Sequence, residues 1–229
     1  MATLQDLRVA ADRVIELHEA GDLDAALALA DQVAEAAVLR DDEVARESLF
    51  VARFERAVVL TEREELTEAA AAFGEAAETP TDPNDPDQRH EVAMALLHRG
   101  MCLDAVGDSE AAIAAYDQLI DRFRGADDLV TRDQVLRARV NRAASRLEAG
   151  DAATVAEEAE ELRLGLDPTA PLDAEQWILA SRIRAAALIE LGQNDLARQL
   201  LTEAAAIDLD DPAVSEQREL AEEDLQELD

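Results

Sequence analysis

The chain contains no lysine. All 21 basic side chains are therefore arginine, set against 53 acids, and the formal net charge is −32. A field of that sign repels nucleic acid and anionic lipid, which excludes direct nucleic-acid binding and attachment to a membrane surface. There is one cysteine, Cys102, so no internal disulfide can form. Its setting, "GMCLDAV", reads as a helical site for a small buried hydrophobe rather than a reactive thiol. Aromatics are only 3% of the residues, so the core must be built from Ala, Leu and Val. With strand-favouring side chains this sparse, close helix packing is expected and a sheet is not. No apolar run reaches the roughly 18 residues a spanning helix needs. The N-terminal stretch "MATLQDLRVAADRVIEL" carries acids early and reads as neither signal peptide nor anchor. A cytoplasmic protein is expected.

What is present supports a folded domain. Hydrophobic residues make up 48% of the 229 positions, enough for a core despite 32% charge. Three origins fit the acidity. A high-GC genome replaces Lys with Arg and enriches Ala; a high-salt cytoplasm selects a carboxylate-rich surface; a nucleic-acid mimic uses acids to occupy a basic cleft.

A repeat organises the chain. Turn signals stand at Gly21-Asp22, Glu64-Glu65, Gly107-Asp108, Gly150-Asp151 and Gly192, at intervals of 43, 43, 43 and 42 residues. Seven residues before each turn stand Val14, Ala57, Gly100, Ala143 and Ala185. Five after it stand Ala26, Ala69, Ala112, Val155 and Ala197, and four further on Ala30, Phe73, Tyr116, Ala159 and Leu201. Small residues on one helix admit a second helix closely, and larger ones fill the gap behind. Each unit therefore reads as helix, tight turn, helix. Gly ends the first helix in the left-handed conformation, and the Asp beside it caps the second. The six prolines, Pro80, Pro83, Pro86, Pro168, Pro171 and Pro212, fall between units, because proline inside a helix costs about 3 kcal/mol. The expected units are 3–40, 41–79, 86–124, 129–165 and 172–209. A helix over 211–228 follows, with a narrow apolar stripe of Val214, Ala221, Leu225 and Leu228, suited to covering the last hydrophobic face.

This order of small residue, turn glycine, alanine and aromatic, clearest in Gly100, Gly107, Ala112 and Tyr116, resembles the tetratricopeptide repeat family over nearly the whole chain. The usual repeat is about 34 residues. The extra length here resembles bacterial and archaeal members with "RF" before the next unit (Arg122-Phe123). The large aromatic usual early in the first helix is missing, the Glu64 turn lacks glycine, and Arg146 replaces a leucine. The resemblance implies an all-α fold, an α-α superhelix or solenoid of five helical hairpins with a C-terminal capping helix, forming a single repeat domain over 1–229.

Two sets of residues are candidates for contact with a partner. The apolar face of the first helices carries Val51, Phe54 and Val58; Met94, Leu97 and Met101; and Val140, Ala144 and Leu147. In the resembled family the matching face lines a peptide-binding concave groove, and Met and Phe suit an adaptable surface. The competing reading buries this face in the stack. The second set is an arginine eight residues before each turn: Arg13, Arg56, Arg99, Arg142 and Arg184. A structural ladder, with each guanidinium paired to a carboxylate such as Asp31, Asp117 or Glu160, is preferred over a basic strip that binds an acidic segment.

Chemistry-bearing constellations are missing. His18, His90 and His98 lie in different contexts and no His-x-x-x-His pair exists, so no metal site is expected. His98 reads as a helix-surface or groove residue, and Trp177 as a packing anchor against the fourth unit. There is no glycine-rich phosphate loop and no cofactor signature. The expected function is a non-catalytic interaction scaffold or adaptor that binds a protein or peptide, with self-association open to it. The alternatives are an acidic decoy of a nucleic-acid-binding protein and a small-ligand or peptide-sensing regulatory module.

Overall fold

A computed structural model describes residues 3–80, 82 and 84–228, apart from the side chain of Leu172. Pro83, expected between units, lies outside the described residues. The fold is all-helical. Eleven helices and no strand occur among the described residues: α1 (Leu4–Glu19), α2 (Leu23–Ala37), α3 (Glu43–Glu62), α4 (Leu66–Ala77), α5 (Pro86–Ala105), α6 (Ser109–Phe123), α7 (Leu129–Glu148), α8 (Ala152–Leu164), α9 (Pro171–Glu190), α10 (Asn194–Ala205) and α11 (Pro212–Glu227).

The helix ends follow from local chemistry. Thr3 and Asp6 form a reciprocal capping box at the start of α1. Asp22, Asp42, Asp85, Asp108 and Asp211 each accept a backbone N–H in the first turn of the following helix. Pro86, Pro171 and Pro212 sit at helix starts, where the missing N–H costs nothing. The turns after α1, α5, α7 and α9 pass through Gly21, Gly107, Gly150 and Gly192 with φ between 72° and 84°. Glu64 takes the same left-handed conformation, φ 61°, without glycine's freedom.

The chain divides into two compact units, Met1–Gln134 and Val135–Asp229, and the boundary falls within α7. In the first unit, consecutive helices from α1 to α6 pack on one another, and α1 also packs on α3. Its core holds Val14, Ala30 and Val33 at one end, with Phe73, Leu96, Tyr116 and Leu119 buried further on. At Gly100, α5 lies directly against the Tyr116 ring of α6. A Cβ on Gly100 would lie 2.3 Å from the Tyr116 ring. Only glycine fits there, and the wholly buried Tyr116 fills the space it leaves while its hydroxyl donates to Asp104 at 2.7 Å.

In the second unit α8 packs on α9, α9 on α10, and α11 on both α9 and α10. Leu162, Leu166, Trp177 and Ile178 form one cluster with Val214 and Ala221 of α11. Trp177 thus anchors α9 against α8, with the Arg163 guanidinium over its ring at 5.1 Å. Leu225 and Leu228 pack against Leu188, Leu200 and Leu201, which completes the apolar stripe of α11.

Candidate functional site

The arginine register is partly paired as expected. Arg56 of α3 bonds Asp31 of α2 at 3.1 Å, and Arg184 of α9 bonds Glu160 of α8. Glu160 also accepts from Arg163, and the two guanidinium groups, Arg163 foremost, hold its carboxyl below the usual range. Arg142 reaches Glu158 at 3.2 Å. Arg13 instead pairs within its own helix, with Glu16. Arg99 has no carboxylate partner among the described residues. The position that supplies Asp31 to Arg56 is Gly74 here, and the Arg99 guanidinium lies 3.4 Å from where a Cβ on Gly74 would stand.

The apolar first-helix residues divide by burial. Leu97 and Val140 are 4% and 5% exposed and belong to the core, so these two do not line an open face. Val51 is partly buried against the α1–α2 cluster. Val58, Met94 and Leu147 are half-buried, and Met101 is 45% exposed. Phe54 is half-buried in an aromatic cluster, stacked on Phe50 at 5.6 Å and edge-on to Phe73 at 5.4 Å. His98 is half-buried beside this cluster: it stacks on Phe73 at 5.3 Å and lies edge-to-face with Phe54 at 6.2 Å. This cluster draws on α3, α4 and α5, and sequence spacing alone misses it, because its members come from three separate helices.

The other titratable groups are structural in placement. Cys102 is buried, which pushes its thiol up, and lies 3.7 Å from the Thr61 hydroxyl. Thiolate chemistry is disfavoured there. His18 of α1 bridges two carboxylates of α3, Glu55 at 2.8 Å and Glu62 at 2.9 Å. The bond to Glu62, with that to Glu55, raises its pKa against the opposing effect of burial. Among the described residues no group of three or more His, Cys, Asp or Glu is arranged to hold a metal ion, and no helix is long and apolar enough to cross a membrane.

Two clefts differ in chemistry. In the first unit, Glu43, Glu47 and Glu91 wall a space of about 270 Å³ beside Phe50. Burial, and then Glu47, push Glu91 above the usual carboxylate range. In the second unit a cleft of about 540 Å³ opens between α7, α9 and α11. Its walls are Leu147, Leu179, Ile183, Ala186 and Ile189. The i, i+4, i+7 spacing of Leu179, Ile183 and Ala186 on α9 is the sequence signal for this face. Of the cleft's apolar residues, the sequence pattern singles out Ala144, Leu147, Ala185, Leu201 and Leu228, but as separate helix-packing positions rather than as one surface.

Compared with known proteins, the chain matches no family model, and no curated protein matches it significantly.

Proposed function

We propose that this chain is a non-catalytic interaction scaffold of the cytoplasm, a tetratricopeptide-like superhelix of five helical hairpins capped by α11, which binds a protein or peptide through the concave face of its first helices. Support for the repeat comes from the 43-residue interval of left-handed turns, at Gly21, Glu64, Gly107 and Gly150, each followed within two residues by a new helix. Stacked repeats create extended surfaces that a single globular core does not. The observation that carries the binding role is Met101. It is a flexible apolar side chain, 45% exposed, on the same helix as half-buried Met94. Methionine at a surface suits contacts that re-pack around a partner.

The test compares proteins captured from native-host extract by the wild type and by Met94→Ser/Met101→Ser. Neither side chain is fully buried, so the variant should keep its helical circular dichroism. Specific partners, identified by mass spectrometry, should be lost from the variant. Capture of the same set by both proteins would overturn the assignment of this face.

A further inference from the structure

The cleft between α7, α9 and α11 has an apolar floor and one strongly negative end. Leu147, Leu179, Ile183 and Ala186 supply the floor. Its volume of about 540 Å³ lies within the range of pockets that seat organic ligands, roughly 300–1,000 Å³. At its mouth the C-terminal ends of helices come together. α7 ends at Glu148 and α11 at Glu227, both of which line the cleft, and α9 ends one residue beyond the lining Ile189. A helix C-terminus carries about half a negative charge, and an acid placed there adds to it.

Nothing in the cleft balances that charge. The one lining cation, Arg182, is engaged by α11: its guanidinium bonds both carboxylate oxygens of Asp224, at 2.6 and 3.3 Å, and the Gln217 amide at 3.1 Å. Arg146, the basic residue of the last turn of α7, pairs with Glu158 of α8. Glu148 and Glu227 have no ion-pair or hydrogen-bond partner among the described residues. A group that places aliphatic side chains on the floor and an ammonium or guanidinium at the mouth would satisfy both ends at once.

We propose that this cleft seats an amphipathic peptide segment of a partner protein, with its aliphatic face on α7 and α9 and a Lys or Arg side chain where α7 and α11 end. This rests on the scaffold reading and gives the part of the first-helix face supplied by α7 and α9 a partner chemistry.

The probe is a fluorescein-labelled 14-residue amphipathic peptide of Leu and Lys, followed by fluorescence anisotropy in 0.15 M NaCl. A scrambled peptide of the same composition, which has no apolar helix face, is the comparison. The amphipathic peptide should bind at least tenfold more tightly than the scrambled one. Glu148→Lys/Glu227→Lys should weaken its binding at least tenfold. Asp12→Lys/Glu35→Lys changes net charge equally on exposed positions of α1 and α2, and should weaken it less than threefold. Ala186→Leu, which fills the floor, should weaken it at least fivefold. If that variant loses its helical spectrum, Ile189→Ser, at a position 40% exposed, takes its place with the same expectation. Equal weakening by the two charge-reversed pairs would overturn the proposal in favour of general attraction to an acidic surface. So would equal binding of the two peptides, absence of binding, or indifference to whichever of these two apolar-lining variants stays folded. None of these results bears on Met94 and Met101, so the scaffold reading stands or falls on its own capture test.

Discussion

In the first unit, position 100 is glycine, and sixteen residues on Tyr116 is buried to the last atom with its hydroxyl on Asp104. In the second unit the same two register positions hold Ala143 and Ala159, then Ala185 and Leu201. One helix–turn–helix template is thus filled in two ways. The first unit packs a large ring against bare backbone and has no slack at that point. At those positions the second has only alanine and leucine, with no ring, and it keeps an apolar cleft. Density is a local property in this chain: a one-carbon change should be severe where the ring sits and mild where alanines meet.

Gly100→Ala tests that contrast most sharply. The new Cβ would stand 2.3 Å from the Tyr116 ring, and the ring is pinned by its hydroxyl bond. Overpacking of this kind costs about 3 kcal/mol. Ala143→Gly, the reverse change in the second unit, should cost about 1 kcal/mol, the ordinary penalty of glycine in a helix. Urea unfolding of both variants measures the difference. Adding Tyr116→Leu to Gly100→Ala should recover part of the loss; equal losses in the two units would rule out packing density as the cause.

The clamps between helices differ as well, and pH separates them. In the first unit His18 joins α1 to α3 through Glu55 and Glu62, whereas in the second Arg184 and Arg163 meet on Glu160. The folded-state pKa of His18 is raised. Its contribution is therefore complete below the unfolded value of about 6.5 and fades as pH climbs through the raised folded value. Glu160 is lowered, so its contribution persists above about pH 4.3 and is lost only as pH falls through its depressed folded value. Between pH 8 and pH 5.5 the stability gap between wild type and His18→Gln should widen by about 1 kcal/mol, the scale of one charged hydrogen bond with an exposed partner. The gap between wild type and Glu160→Gln should stay flat over the same range. A flat His18 gap would show that the imidazole contributes as a neutral donor only.

Turn chemistry gives a smaller effect. Gly21, Gly107, Gly150 and Gly192 accept the left-handed turn freely, but Glu64 holds φ 61° with a side chain attached. Left-handed backbone costs a non-glycine residue about 1–2 kcal/mol, and the greater freedom of glycine in the unfolded chain returns part of that. Glu64→Gly should stabilise the protein by about 0.5–1 kcal/mol, seen as a higher urea midpoint with unchanged slope. Gly107→Ala should lose a similar amount.

Much of this is legible in the sequence alone, and the reason is periodicity. Four turn glycines, the caps at Asp22, Asp108 and Asp211, and the proline helix starts are local signals, read from a few neighbouring residues, and they place the helix ends. The apolar stripe of α11 is equally plain. Placement in three dimensions is not. Leu97 and Val140 share the spacing of Met101, yet they are core while it is exposed, because these helices are covered on more than one face. His98 is unreadable for the same reason: its neighbours, Phe54 and Phe73, come from other helices. The cleft of the second unit depends on α7, α9 and α11 together, and spacing along any one of them reveals only a wall.

The arginine register offers the finest test, because one of its positions is broken. Asp31 and Glu160 answer Arg56 and Arg184. At the equivalent place before Arg99 stands Gly74, in the interior of α4. A Cβ there would meet the Arg99 guanidinium at 3.4 Å, a contact that a flexible side chain can relieve. Gly74→Glu and Gly74→Gln should both stabilise α4 by roughly 0.5–1 kcal/mol, since both new residues favour helix more than glycine does. Only the carboxylate completes the register. A double-mutant cycle pairing Gly74→Glu with Arg99→Gln should therefore give a coupling of about 0.5 kcal/mol, the ordinary size of a partly exposed ion pair. The same cycle built on Gly74→Gln should give close to none. The first coupling should shrink in 1 M salt, where the screening length falls to about 3 Å. A coupling of zero at low salt would mean that the 43-residue register aligns Arg99 with position 74 in sequence without bringing their charges together. Arg56 and Arg184 would then have their partners through local circumstance rather than through a ladder.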